Sequence, residues 1–435
     1  MSPLDRSPEI AVVGGGAVGL TVALELARRG AHPALLERSP DLSSSCSAGS
    51  AGLLSPAHST PLSTSGTLRE GLKHLLRNDS PFAIRPRPEL VPWMVRFALA
   101  CRTDRVQAAT ALIRDLSITS LDLHMKLAEE GLDTGFTVRG AINAYATEAG
   151  FAAGVAEARS LAGAGIESQI LDPDELVELE PAIAPGSLGG VYYPQEAHCE
   201  PERFVNAIAG AAVAAGATIH TGVELLDLRI EPSGAIRLDT TAGELRPRHV
   251  VLANGAAVAR FGRPIGLYIP VQGAKGYHVD LAPGVADPLI PVYLQEARVI
   301  ATPFDNRLRL AGTLELTGLD TTVDPLRVRA TLDAGVRALK GIDPGRVIEV
   351  WRGIRPCTPD GLPIVGRSPR SADVVVVTGH AMKGLHLAPA TAELVADLVE
   401  GLELDPRFAP FRPERFDHPL GGLNWSYRRR MEAAR

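Results

Sequence analysis

The chain has 435 residues, 45% of them hydrophobic and 22% charged, which is ordinary globular usage and excludes wholesale disorder, a coiled coil and a collagen-like fibre. That length allows two or three domain-sized units and a core large enough to enclose a sizeable ligand. With 44 Lys and Arg against 50 Asp and Glu, the net charge of −6 offers no field to attract a polyanion, so nucleic acid is not an expected partner.

The first element is Ile10-Ala11-Val12-Val13, a β-branched run that enters Gly14-Gly15-Gly16-Ala17-Val18-Gly19 and then a helix with Val18, Val22 and Leu26 on one stripe. A second strand from Pro33 to Leu36 ends at Glu37 and completes a βαβ unit. Residues 39–66 are rich in Ser, Gly and Pro and predict a loop. From Thr103 to Gly131 the apolar residues Val106, Ala109, Ile113, Leu116, Leu123 and Leu127 recur at helical spacing and predict long amphipathic helices of a second region. Pro201 to Ala215 reads as a helix, followed by strands near 218–220, 225–230, 236–240 and 249–253, which suggest a small meander. Residues 268–315 predict a mixed sheet. Val374 to Thr378 is an apolar strand, Gly379 to Gly384 a glycine-flanked turn, and Pro389 the expected start of a helix through Val399. The stretch after Pro413 is expected to be a peripheral tail.

Cys46, Cys101, Cys199 and Cys357 lie far apart with no C-x-x-C pair, so they are read as reduced thiols with no metal site, and the compartment as cytoplasmic. No secretory signal is expected, because the first apolar run ends at Gly14 without a small-residue cleavage site. Phe204 to Val223 lacks charge, yet its Ala/Gly content and its polar residues favour helix plus strand over a membrane span. A soluble chain is expected. Leu90-Val91-Pro92-Trp93-Met94 with Phe97 reads as core or as a peripheral membrane patch.

The motif Gly14-x-Gly16-x-x-Gly19 after a strand and before a helix is the dinucleotide fingerprint: a tight turn, room for the pyrophosphate, and close packing of helix on strand. Phosphates would meet the helix N–H groups, and Glu37 the ribose hydroxyls. Whether His249-Val250-Val251-Leu252-Ala253-Asn254-Gly255 also reaches the cofactor or is an ordinary strand end stays open. Gly379-His380-Ala381-Met382-Lys383-Gly384 forms a second glycine turn at a helix start, suited to a delocalised anion such as reduced flavin, which an NAD enzyme would not need.

These motifs, with Ser47-Ala48-Gly49-Ser50-Ala51-Gly52-Leu53-Leu54-Ser55-Pro56, Lys275-Gly276-Tyr277, Ala301-Thr302-Pro303, Leu310-Ala311-Gly312-Thr313, Gly353-Ile354-Arg355-Pro356 and Thr358-Pro359-Asp360-Gly361, resemble the FAD-dependent amine and amino-acid oxidoreductases of the D-amino acid oxidase superfamily. The resemblance runs from Glu9 to Phe416 and is nearest to the D-amino acid dehydrogenases and their glyphosate oxidoreductase-like relatives. It implies an α/β fold, α+β overall. A Rossmann-type FAD-binding domain would be assembled from residues 1–64, 197–262 and 345–415, and a mixed-sheet substrate domain with helices from 65–196 and 263–344, leaving 416–435 as a tail.

For the cofactor, FAD held non-covalently, the resemblance implies contacts from Gly14, Gly16, Ala17, Val18, Gly19, Glu37, Arg38, Ser47, Ala51, Gly52, Leu53, Val223, Ala253, Gly255, Gly353, Gly379, His380, Met382, Lys383, Gly384 and Leu385. Ser50 departs from the Asn common in the dehydrogenases. Arg355 falls where similar glycine oxidases bind the substrate carboxylate, a task that suits a permanent planar cation. Tyr277 and His278 either line the pocket or fill a core strand. Lys383, in the turn where similar sarcosine oxidases carry Lys, is expected to assist reoxidation. Cys357 is not expected to attach the flavin.

The implied reaction is oxidation of the Cα–N bond of a D-amino acid or related amino or imino acid, by hydride transfer to flavin N5, to an imine that hydrolyses to an oxo acid. No obligatory acid or base stands out in the sequence. Oxygen or quinone would be the electron acceptor. The alternatives are an oxidase of N-substituted glycines, such as sarcosine- or glyphosate-like compounds, or of a cyclic imino acid. From other classes come an aromatic monooxygenase, disfavoured by Gly-His where such enzymes use Gly-Asp, and a non-catalytic dinucleotide-binding protein.

Overall fold

The computed structural model describes residues 4–73, 82–84 and 87–417. The principal elements in chain order are β1 (Ile10–Val13), α1 (Ala17–Arg28), β2 (Pro33–Glu37), α2 (Thr103–Glu129), α3 (Pro201–Ala214), β3 (Thr218–Thr221), β4 (His249–Leu252), β5 (Gln272–Leu281), β6 (Val299–Phe304), β7 (Arg307–Leu316), β8 (Val347–Cys357), β9 (Ile364–Ser368), β10 (Ser371–Thr378) and α4 (Gly384–Val399).

Among the described residues, the first sheet is six-stranded in the order β3-β2-β1-β4-β10-β9. Its strands are parallel except for the β9/β10 hairpin, with Ile10 opposite His249 and Pro33, and Val251 opposite Val375. Apolar residues fill both sides of each central strand, as expected of a parallel sheet covered on both faces. Val12, Leu35, Val251 and Val375 join the core shared with α1, α3 and α4. Ala11, Val13, Val250, Leu252, Val374 and Val376 point the other way, against the antiparallel meander of Leu225–Ile230, Ile236–Thr240 and Gly243–Leu245. The stretches predicted at 218–220 and 249–253 therefore belong to this sheet and not to the meander.

The second sheet is nine-stranded and mixed, with β8 on one edge followed by β5, β7 and β6. Residues 347–357, grouped on sequence with the cofactor segments, form that edge strand, antiparallel to β5 with Ala274 opposite Arg355 and His278 opposite Trp351. The region predicted to hold long helices is one continuous helix, α2, whose buried Leu112, Ile113, Leu116 and Leu127 pack into the first core.

Two further sequence expectations change, and one left open is decided. Helix α4 starts at Gly384, so Pro389 lies inside it and not at its first turn. The missing Pro389 N–H leaves the Leu385 carbonyl without its helical donor. His124 Nε2 from α2 approaches the carbonyl oxygens of Leu385 and His386 at 3.3 and 3.1 Å, and Ser120 Oγ donates to that of His386 at 2.5 Å. The stretch after Pro413 does not hang free: Phe416 is buried in the second core and Arg415 pairs with Asp360 at 2.8 Å, while residues 418–435 lie outside the described residues. Leu90, Trp93 and Phe97 are core, Trp93 stacking on Phe97, which leaves Val91 and Pro92 as the exposed members of that run, with Val95 exposed beside them. No helix among the described residues is long and apolar enough to cross a membrane.

Candidate active site

A cavity of about 920 Å³ lies between the two sheets. One end is built by the glycine turn. Gly14 has φ +113°, and a Cβ there would lie 2.6 Å from the Ala253 carbonyl oxygen, while a Cβ on Gly19 would overlap the Gly14 carbonyl, so both positions require glycine. Gly16 caps α1 without a side-chain bond, and no acidic residue sits in the first turn. The helix start thus presents N–H groups and its positive dipole end to the cavity. Ala17 N–H is taken by Ser47 Oγ at 2.9 Å. Glu37, at the end of β2, accepts from Gly15 N–H at 2.6 Å and Ser39 N–H at 2.8 Å.

Of the residues expected at the cofactor, Gly14, Gly16, Ala17, Val18, Glu37, Arg38, Ser47, Ala51, Leu53, Val223, Ala253, Gly255, His380, Met382, Lys383, Gly384 and Leu385 line this cavity. Gly19, Gly52, Gly353 and Gly379 do not line it; they support the walls. Gly52 and Gly379 have φ of +75° and +83°. A Cβ on Gly353 would collide with the Trp351 ring, which does line the cavity.

The loop from Ser47 to Leu53 is fixed through its carbonyls. Arg309, fully buried, donates to Ala48 and Ser50 oxygens at 3.1 and 2.8 Å, and Thr302 Oγ1 to Ala51 at 2.8 Å. His278 Nδ1 stands 3.0 Å from the Gly49 oxygen, and Cys199 N–H donates to Gly52 at 2.9 Å. Arg309 is itself held by a bidentate pair with Asp280, both bonds at 2.8 Å.

Tyr277 and His278 do not line the cavity. Tyr277 points to the opposite face of β5, its hydroxyl 3.3 Å from Glu315 Oε2. His278 is on the cavity side but covered by Trp351, with which it stacks at 5.1 Å and 7°. Alternation along β5 instead gives the cavity face to Gly276, where a Cβ would overlap the Arg355 guanidinium. Arg355 lines the cavity, donates to the Thr313 carbonyl at 2.7 Å and has no carboxylate within ion-pair distance among the described residues. Burial lowers its pKa from the usual arginine value, yet an arginine stays charged. Thr313, held at φ +60°, also leaves its Oγ1 buried and unbonded at the cavity.

Lys383 faces the same space; burial takes its pKa down to about 8, against the raising effect of Glu196. Cys357 lies behind the wall with its thiol pushed up to about 12 by burial, which disfavours the thiolate needed for a covalent bond to a cofactor. Sequence reasoning did not find Trp351, Arg309, or the polar group of Ser55, His58 and Glu196. Their one local signal is that Ser55 lies in the Ser47–Pro56 loop and His58 follows directly after it.

The residues present fit a dinucleotide such as FAD. The glycine cradle would take its pyrophosphate and Glu37 its ribose, and the buried, unbonded Asn254 Oδ1 and Thr313 Oγ1 on the walls provide further polar contacts.

Comparison with known proteins agrees. Residues 9–398 match the family described as DAO, FAD dependent oxidoreductase. The chain is 30% identical over 403 residues to a D-amino acid dehydrogenase of Paramagnetospirillum magneticum, covering 90% of this chain and 95% of that one. It is also 30% identical over 416 residues to a D-amino-acid oxidase of Bradyrhizobium diazoefficiens, covering 94% and 98%. Among solved structures, glycine oxidase from Geobacillus kaustophilus superimposes with a TM-score of 0.77 at 28% identity, over 94% of this chain and 99% of that one. Because the family match takes in both sheets and every wall of the cavity, the chain belongs to the DAO family of FAD-dependent oxidoreductases, with FAD as its cofactor.

Proposed function

We propose that the protein oxidises the Cα–N bond of a D-amino acid or a closely related amino or imino acid. The observation that carries this reading is Arg355: a cation on the cavity wall, given room by Gly276 and without a carboxylate partner among the described residues. A substrate carboxylate supplies that partner, in a charge-assisted and bidentate geometry that Lys would not reproduce. FAD, when bound, supplies the acceptor for the α-hydrogen as hydride. The chain's part is to anchor the carboxylate on Arg355 and to hold the Ser47–Leu53 loop rigid through Arg309, Thr302 and His278. The imine released is then hydrolysed to an oxo acid.

Residues 1–64 and 197–262, with the segment from β9 onward, are assigned to holding FAD, and the second sheet to holding substrate. Lys383 is assigned to the return of electrons to oxygen. A quinone would be reached by peripheral contact, for which the exposed Val91 and Val95 are the available apolar surface. The cysteines, all free, support a reducing cytoplasmic compartment. A second reading, oxidation of an N-substituted glycine, is favoured by Lys383 as an additional cation in the cavity.

The test is the visible spectrum of the holoenzyme, recorded without oxygen before and after adding D-amino acids, glycine, sarcosine and proline isomers. Bleaching of the flavin is the expected result, and dividing the mixture names the substrate. A flavin that stays oxidised with every member overturns the reading.

A further inference from the structure

An amino acid arrives near neutral pH as its ammonium form, which has no lone pair to help expel hydride, so a proton must leave before oxidation. This step rests on the reading that an amino acid is oxidised here. Ser55 and His58 line the cavity. His58 Nε2 stands 2.9 Å from Asn143 Oδ1, an atom that only accepts, so that nitrogen carries the ring proton. Nδ1 is left as an acceptor toward Ser55 Oγ, 2.6 Å away. Behind them lies Glu196, 2% exposed, whose Oε1 accepts Ala57 N–H at 2.9 Å. Among the described residues its Oε2 makes no well-formed hydrogen bond, although the Ser55 hydroxyl is close enough to stabilise the carboxylate, and it lies 3.9 Å from His58 Nδ1. A buried carboxyl oxygen left unbonded is rare in a folded protein and calls for a role.

We propose that Ser55, His58 and Glu196 form a proton relay that takes up the ammonium proton of the substrate. As the substrate N–H bond breaks, its proton joins Ser55 Oγ while the Ser55 O–H proton passes to His58 Nδ1, where the negative charge of Glu196, its Oε2 3.9 Å away, stabilises the imidazolium. The substrate nitrogen keeps the electron pair, Ser55 ends as it began, and the His58/Glu196 pair holds one more proton. Nothing is oxidised or reduced in this step, and no co-reactant is needed.

Burial pushes Glu196 up to about 7, against lowering by the Ser55 hydroxyl, the Ala57 N–H and the Lys383 ammonium. Burial, helped by Lys383, takes His58 down to about 4. Of the two, the carboxyl is therefore the stronger base. Facing it are Lys383 from the turn before α4, Tyr193 from the neighbouring strand and the Tyr293 ring 5.2 Å from His58.

The experiment follows anaerobic bleaching of the holoenzyme by a D-amino acid in a stopped-flow instrument, from about pH 6 to about pH 9. The second-order rate constant is expected to rise with pH through about 7 and then level. Glu196→Gln should abolish that rise and lower the rate at neutral pH roughly hundredfold, with Ser55→Ala acting alike and Ser55→Thr restoring the hydroxyl and the profile. An unchanged rate and profile in Glu196→Gln overturns the relay. So does a rise that disappears only in Lys383→Met, which makes the Lys383 amine the acceptor. Binding of a 2-hydroxy acid, read from its perturbation of the flavin spectrum, should be unaltered in Glu196→Gln; weakened binding makes the residue structural and also overturns the relay. If no amino acid bleaches the wild-type flavin, the amino-acid reading itself falls, an outcome distinct from a wild type that bleaches and a variant that matches it.

Discussion

Arg355 and Gly276 form one packing unit, since the side chain of one occupies the space the other lacks. Replacing Arg355 with Met removes the cation, and replacing Gly276 with Ala drives a methyl group into the guanidinium. Both variants should raise the amino-acid concentration for half-maximal flavin reduction by roughly hundredfold or more, the scale of losing one partner of a buried charge pair. Titration of anaerobic bleaching checks this, and Gly276→Ala at wild-type affinity would detach Arg355 from the substrate. Lys383 makes a prediction with a sign. Burial lowers its pKa from 10.5 to about 8, so it is charged below that pH and neutral above it. If its charge assists electron return to oxygen, the reoxidation rate should fall as pH rises through about 8, and Lys383→Met should be slow and pH-independent in that window. Mixing the reduced enzyme with oxygenated buffer across the range measures it; a profile in the variant identical to wild type would sink the assignment.

At the scale of elements, α4 depends on its neighbour. Pro389 breaks the internal ladder one turn beyond the Gly379–Gly384 turn, and α2 supplies Ser120 and His124 to the exposed carbonyls. Ser120→Ala should therefore destabilise the holoenzyme by about 1–2 kcal/mol, the cost of leaving a buried carboxamide oxygen under-bonded. It should also weaken FAD binding, since His380 to Leu385 line the cavity immediately before that turn. Denaturant titration and the FAD dissociation constant test the two parts. The same helix shows where local reading stops. A proline after a glycine turn is a sound signal for a first helical residue, and it misplaced the start because the donors that permit Pro389 inside the helix lie more than 260 residues away. Lys275-Gly276-Tyr277 fails for a related reason: period two gives the cavity face to the glycine, and only the packed sheet reveals that Tyr277 turns toward Glu315. By contrast, β1, the Gly14–Gly19 turn, α1 and β2 were legible because strand, turn and helix follow one another within 28 residues and need no distant partner.

For the whole molecule, the cavity is a seam. Its walls come from the glycine turn and Glu37 on one sheet and from Trp351, Arg355 and Thr313 on the other. No sequence window joins Ser55 to Glu196 or Arg309 to Ser50, so these contacts could not be read before folding. A ligand that fills such a seam binds the native arrangement and not the unfolded chain, and so adds to the stability of both sheets at once. Stripped of FAD, the protein should melt at a lower temperature, and the melting point should climb with the logarithm of added FAD. At a hundredfold excess over the dissociation constant the gain is about 2.7 kcal/mol. NAD, which lacks the flavin ring that the Ser47–Leu53 loop and the Gly379–Gly384 turn are assigned to hold, should add little. The comparison of the two ligands localises the effect: equal stabilisation by both would confine recognition to the shared adenosine and pyrophosphate end at α1. Stabilisation by FAD alone would show that the far end of the cavity, where Arg355 and Lys383 stand, is closed by the flavin.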